Sequence, residues 1–107
     1  MSCSFAENLA LLPPADDLAG IELRAQDGGV SQIENKPGSQ GSLRLYRYLF
    51  DKYGGIGVAA AEEGLALYAE HSADARANPG KHPNIDRLFD IVAGKSAVTV
   101  RLLMAQR

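Results

Sequence analysis

The sequence predicts an α+β fold of two layers, in which a three-stranded sheet, made of a hairpin and a C-terminal strand, is covered by central helices, with a short helix at the N-terminus. Three observations carry this. "GIELRAQDGGVSQIEN" (residues 20–35) alternates apolar and polar residues about a glycine pair; "AVTVRLLM" (residues 97–104) alternates with one richly apolar face; and the stretch between them repeats apolar residues at spacings of three and four. A sheet with one apolar face needs a cover, and the central helices supply it. At 107 residues, with 46% hydrophobic and 22% charged residues, the chain fits one domain spanning residues 1–107.

The elements follow in order. Ser4 and Glu7 form a capping-box pattern that starts a helix over roughly Phe5 to Leu12, stopped by Pro13-Pro14. Phe5 and Leu9, one turn apart, dock it. In the hairpin, Ile21, Leu23 and Ala25 share the buried face. A three-residue loop Asp27-Gly28-Gly29, with Gly29 left-handed, sets Leu23 opposite Ile33 and keeps Glu34 off that face, at the expense of facing Glu22 with Glu34 beside Arg24. Ser42 is the expected N-cap of the helix "LRLYRYLFDKYG", whose stripe is Leu45, Leu49 and Tyr53 with Tyr46 and Phe50 alongside, and with Arg44, Arg47 and Asp51 facing water. Gly54 ends it. A second helix is expected over Val58 to Ala77, where Ala60 and Gly64 let a neighbour approach closely. Asn84 is the expected cap of a third, with Ile85, Leu88, Phe89 and Val92 buried and Gly94 at its end. The expected core joins Leu49, Leu65, Leu88, Phe89, Val100 and Leu102. The final strand is expected beside the first, giving the order second, first, third.

Several function classes are disfavoured. A net charge of −2, with no like-charge run longer than two residues, lacks the basic field that nucleic-acid binding uses. One cysteine, Cys3, permits no internal disulfide and no multi-cysteine metal cluster, which suits a reducing, cytoplasmic setting. "MSCSFAENLALLPP" has no basic leader and carries Glu7 in its apolar part, against a secretory signal, and no apolar run approaches a membrane span. Cys3 has no base nearby to activate it, no serine sits in a Gly-x-Ser-x-Gly elbow, and Tyr46, Tyr48, Tyr53 and Tyr68 fall at helical spacings that suit core packing. "GKS" (residues 94–96) resembles the end of a phosphate-binding loop, but Phe89 stands where the first glycine belongs.

Two stretches keep candidate chemistry. In "KPGSQGS", between strand and helix, Lys36, Gly38, Ser39, Gly41 and Ser42 could hold an anion at a helix N-terminus, although a loop and cap explain the same residues. "YAEHSADARANPGKHPNIDRLFD" holds both histidines, His71 and His82, with Glu70, Asp74, Asp86 and Asp90 close by. The histidines are separated by Pro79-Gly80, so the spacing of a zinc helix is absent. The turn nevertheless could bring His71, Asp74, His82 and Asp86 together as catalytic candidates. The plainer reading is a turn whose polar residues line a rim.

The segments "IENKPGSQGSLRLY" and "LYAEHSADARANPGKHPNIDRLF" resemble a small bacterial family, domain of unknown function 2322, over nearly the whole chain. That resemblance implies a bacterial cytosolic protein and supplies no activity, cofactor or catalytic residue. With no complete catalytic constellation, the residues favour a non-enzymatic binding or interaction module, contacting a protein partner or a second copy through one end of the layers or the sheet edge. No cofactor or metal is expected. The alternative is a small metal-binding protein or enzyme using His71, His82 and nearby carboxylates, and a pocket burying either histidine beside a carboxylate would count in its favour.

Overall fold

A computed structural model describes residues 4–94 and 97–105. The elements are α1 (Phe5–Ala10), β1 (Leu18–Arg24), β2 (Val30–Glu34), α2 (Gln40–Tyr53), α3 (Val58–Tyr68), α4 (Glu70–Ala77), α5 (Pro83–Val92) and β3 (Thr99–Met104). The strands form one open sheet in the order β2-β1-β3, antiparallel at both junctions, and the fold is α+β. Cys3, and Lys95 and Ser96 of the "GKS" stretch, lie outside the described residues.

The capping box forms as the sequence implies: Glu7 N–H donates to Ser4 Oγ and Ser4 N–H to Glu7 Oε1. No residue of α1 is fully buried. Arg44 holds the helix from behind. Contrary to the expectation that it faces water, its Nη2 donates to the carbonyls of Leu9 (2.8 Å) and Leu12 (2.6 Å), placing a cation at the electronegative end of α1.

The hairpin register differs from the expected one by two residues. Ile21 faces Ile33, Leu23 faces Ser31 and Glu22 faces Gln32. The loop is Gln26-Asp27-Gly28, closed by Gly28 N–H to Ala25 O (3.1 Å) and Ala25 N–H to Gly29 O (2.8 Å). Gly28, not Gly29, takes the left-handed conformation at φ 95°. Asp27 Oδ1 accepts the Gly29 N–H at 2.8 Å, which centres the turn on Asp27. Because side chains alternate with period two, the shift keeps Ile33 on the core face and also separates Glu22 from Glu34.

Gly64 explains how the helices meet. A β-carbon there would lie 2.8 Å from Leu88 Cδ1 and 2.9 Å from Leu49 Cδ1, so α3 wedges between α2 and α5 only because residue 64 has no side chain. The long helix expected over residues 58–77 is broken at Ala69 (φ 53°, ψ −117°), a conformation that L residues seldom adopt. Tertiary partners hold the break. At the end of α3, the Leu65 carbonyl accepts from Ser72 Oγ (2.6 Å), that of Ala66 from Ala69 N–H, and that of Leu67 from Asn8 Nδ2.

Of the expected core, Leu49 and Leu88 are buried completely, while Leu65, Phe89, Val100 and Leu102 pack half-buried against it. On α5 the buried stripe is Ile85, Leu88 and Ile91; Val92 is exposed and Phe89 lies beneath the Arg76 guanidinium, 5.1 Å from its ring centre. The core centre is Tyr46. Its hydroxyl donates to the Asn84 carbonyl and accepts from Arg87 Nη1, and burial pushes its phenol up to about 12. Asn84 is thus not the cap of α5. The helix starts two residues earlier, with His82 at the cap position and Pro83, which has no N–H to satisfy, in its first turn.

A clasp joins α2 to α3. Glu63 accepts from Lys52 Nζ (2.7 Å), Tyr48 OH (2.6 Å) and Tyr53 OH (2.6 Å), and these donors hold its carboxyl at about 2.

Replacing Gly64 by Val should cost about 2 kcal/mol in urea unfolding, because two fully buried leucines must move. For Glu63 the folded carboxyl lies below the ordinary 4.5, so its contribution is complete above pH 4.5 and fades as pH falls toward about 2. The stability gap between wild type and Glu63→Gln should therefore be widest above pH 4.5 and close in acid; a gap that does not change with pH would contradict the clasp.

Candidate functional site

The α4–α5 turn gathers the candidates. His71 and Asp74 lie one turn apart on α4. Asn78 closes that helix, its N–H on the Asp74 carbonyl and its Nδ2 3.1 Å from Asp74 Oδ1, and the chain then reverses through Pro79-Gly80. Asp86 Oδ2 accepts the Gly80 N–H at 2.9 Å, tying the turn to the first turn of α5. His82, at the start of α5, sets Nε2 2.5 Å from Asp74 Oδ2, and Lys81 Nζ reaches the same oxygen at 3.1 Å. His71 stands beside this pair, its ring centre 6.0 Å from that of His82.

The structure thus brings together three of the four catalytic candidates, His71, Asp74 and His82. Asp86 is diverted to the turn backbone. Glu70 accepts the Phe5 N–H at 2.8 Å, and Asp90 is exposed and does not line the histidine cavity. Hydrogen bonds from His82 and then Lys81 hold the Asp74 carboxyl below the usual carboxylate range. Among the described residues, no group of three or more His, Cys, Asp or Glu side chains is placed to hold a metal ion.

Beside the histidines lies a cavity of about 320 Å³. Its titratable lining apart from Tyr68 is basic: His71, Lys81 and His82. Among the described residues no carboxylate lines it. Phe5, Tyr68 and Ile85 line it as well. Tyr68 is almost wholly buried, and burial raises its phenol well above the ordinary value; its hydroxyl donates to Ser42 Oγ at 2.7 Å.

The other candidate set is divided. Ser42 lies within α2 rather than at its cap. The cap position belongs to Ser39, whose side chain makes no capping bond to the helix; its Oγ donates instead to the Glu34 carbonyl at 2.6 Å. Lys36 lies 3.7 Å from Glu34. Gly41 is covered by α1, since a β-carbon there would meet Leu9 and Phe5 at 3.1 and 3.2 Å. Only Gly38 and Ser42 reach the histidine cavity. Sequence reasoning missed the parts played by Phe5 and Tyr68. The capping box did locate the helix that carries Phe5, but the spacing that marks Tyr68 as a core residue says nothing of what its ring faces.

A family model described as an uncharacterized protein conserved in bacteria, DUF2322, matches residues 5–102. No curated protein and no solved structure matches the chain.

Since His82 and Asp74 tie α5 to α4 by one partly exposed pair, the double substitution His71→Ala with His82→Ala should lower stability by about 1 kcal/mol and leave the fold intact. Circular dichroism with thermal melting checks this; loss of the folded signal at room temperature would give the histidines a larger structural role.

Proposed function

The chain belongs to DUF2322, and we propose that it is a binding module whose ligand is a small anion held in the cleft of His71, Lys81 and His82. The observation that carries this reading is the lining itself: in a chain of net charge −2, the cleft gathers two imidazoles and an ammonium and, among the described residues, no carboxylate. Asp74 pairs with His82 Nε2 and Lys81 Nζ but does not itself line the cleft. Anions are bound where several donors of positive or neutral character converge.

This narrows the broader expectation of a module contacting a protein partner or a second copy. His82, with its side chain 25% exposed and its ring on Asp74, is partly buried beside that carboxylate, which a bare contact surface does not require. The reading places the protein in the cytoplasm, supported by its single cysteine and low charge density. Among the described residues no helix is long and apolar enough to cross a membrane.

One observation favours a second reading. Asp74 and His82 at 2.5 Å make the orienter-and-base pair of acid–base catalysis, opening on a cleft with a serine hydroxyl at its wall. Hydrolysis of a chromogenic phosphate ester that Asp74→Asn abolishes, with phosphate binding retained, would put that reading first.

Calorimetric titration with inorganic phosphate at low ionic strength tests the binding proposal. We expect one-to-one binding, weakened about tenfold or more by Lys81→Ala and by His82→Gln, because each removes a charge-assisted contact of about 1.5–3 kcal/mol. Absence of binding, or binding unaffected by either substitution, would refute it.

A further inference from the structure

We infer that the ligand, if the anion cleft is rightly assigned, is a small organic anion with a flat apolar body, its charged head at Lys81 and His82 and its body against Phe5 and Tyr68. The inference rests on the reading above and goes beyond it by naming the ligand class.

The volume is the first argument. A cavity of about 320 Å³ lies at the lower end of the ~300–1,000 Å³ range of small-molecule sites and leaves most of its space empty around a bare oxyanion. The second is the composition of the lining. His71 stands on α4 and Lys81 and His82 just before α5, and the same lining includes the aromatic and aliphatic side chains Phe5, Tyr68 and Ile85. Phe5 and Tyr68 stack with ring centres 5.1 Å apart at 24°, and the His71 ring meets Phe5 at 86° with centres also 5.1 Å apart. Three rings therefore stand in a fixed relation beside the space. Tyr68, almost wholly buried and with its hydroxyl satisfied by Ser42, backs the Phe5 ring rather than presenting an unmet donor.

The third argument is the position of Phe5. It begins a six-residue helix with no fully buried residue, yet its ring lines the cavity while its N–H is held by Glu70. Half-buried, it leaves aromatic surface to be covered by an apolar body. A ligand that joins an anionic head to such a body uses both parts of the lining at once.

Calorimetric titration with inorganic phosphate and with phenyl phosphate, on wild type, Phe5→Ala and Phe5→Leu, tests this. Melting curves first establish that each variant is folded. Phenyl phosphate should bind wild type about tenfold more tightly than inorganic phosphate, and that ratio should fall toward one in Phe5→Ala, with Phe5→Leu between. Equal affinities in wild type, or a ratio that Phe5→Ala leaves unchanged, would overturn the ligand class and leave the anion cleft standing. If neither compound binds, the anion cleft and this inference fail together.

Discussion

The close approach at Gly64 is the constraint on which the rest of the molecule depends. Leu45, Leu49 and Leu88 all reach toward the space that a side chain there would occupy, so α3 is fixed against α2 and α5 at once. α3 and α5 are the most extensively packed pair of helices. Once α5 is fixed on α3, its first turn lies beside α4, and His82 comes within reach of Asp74. Tyr46 secures the same region from the α2 side by donating to the Asn84 carbonyl. Glycine in a helix interior sacrifices about 1 kcal/mol of propensity relative to alanine, and here that loss is offset by burial of three leucines at one crossing.

Around the cleft Glu70, Asp74 and Asp86 each have a bonded partner. Glu70 takes the first N–H of α1, Asp86 takes the Gly80 N–H, and Asp74 is shared by His82 and Lys81. Each of these bonds first serves local structure, as a helix start, a turn closure or a tie between two helices. Their joint consequence is electrostatic: among the described residues no carboxylate lines the cleft, while His71, Lys81 and His82 do.

The large features of this fold were legible in the sequence because they follow from periodicity. Strand alternation marked the hairpin and the last strand, the capping box marked α1, and Gly64 announced a close crossing. What was not legible depends on partners remote in sequence. The alternation of β1 and β2 fixes their register only to within a multiple of two residues, and the Asp27 side chain bonded to Gly29 chose between the remaining options. Ala69 is a strong helix former, and nothing local foretells a break there; the partners that hold it include Asn8, far away in the chain. The position of Arg44 on its helix points to water, whereas α1 ends against it. Of the site, the histidine turn was visible as a concentration of polar residues. Its aromatic wall was not, because Phe5 and Tyr68 meet only after α1 docks.

The central claim, that the two histidines and Lys81 form one anion cleft, is tested most directly by nitrogen-edited nuclear magnetic resonance of the imidazoles during addition of inorganic phosphate. The account predicts that His71 and His82 resonances shift together and saturate, along with the backbone amides of Lys81 and Ser42, while those of the hairpin loop from Gln26 to Gly29 stay in place. Shifts centred on the hairpin loop, or no saturable change at either imidazole, would contradict it.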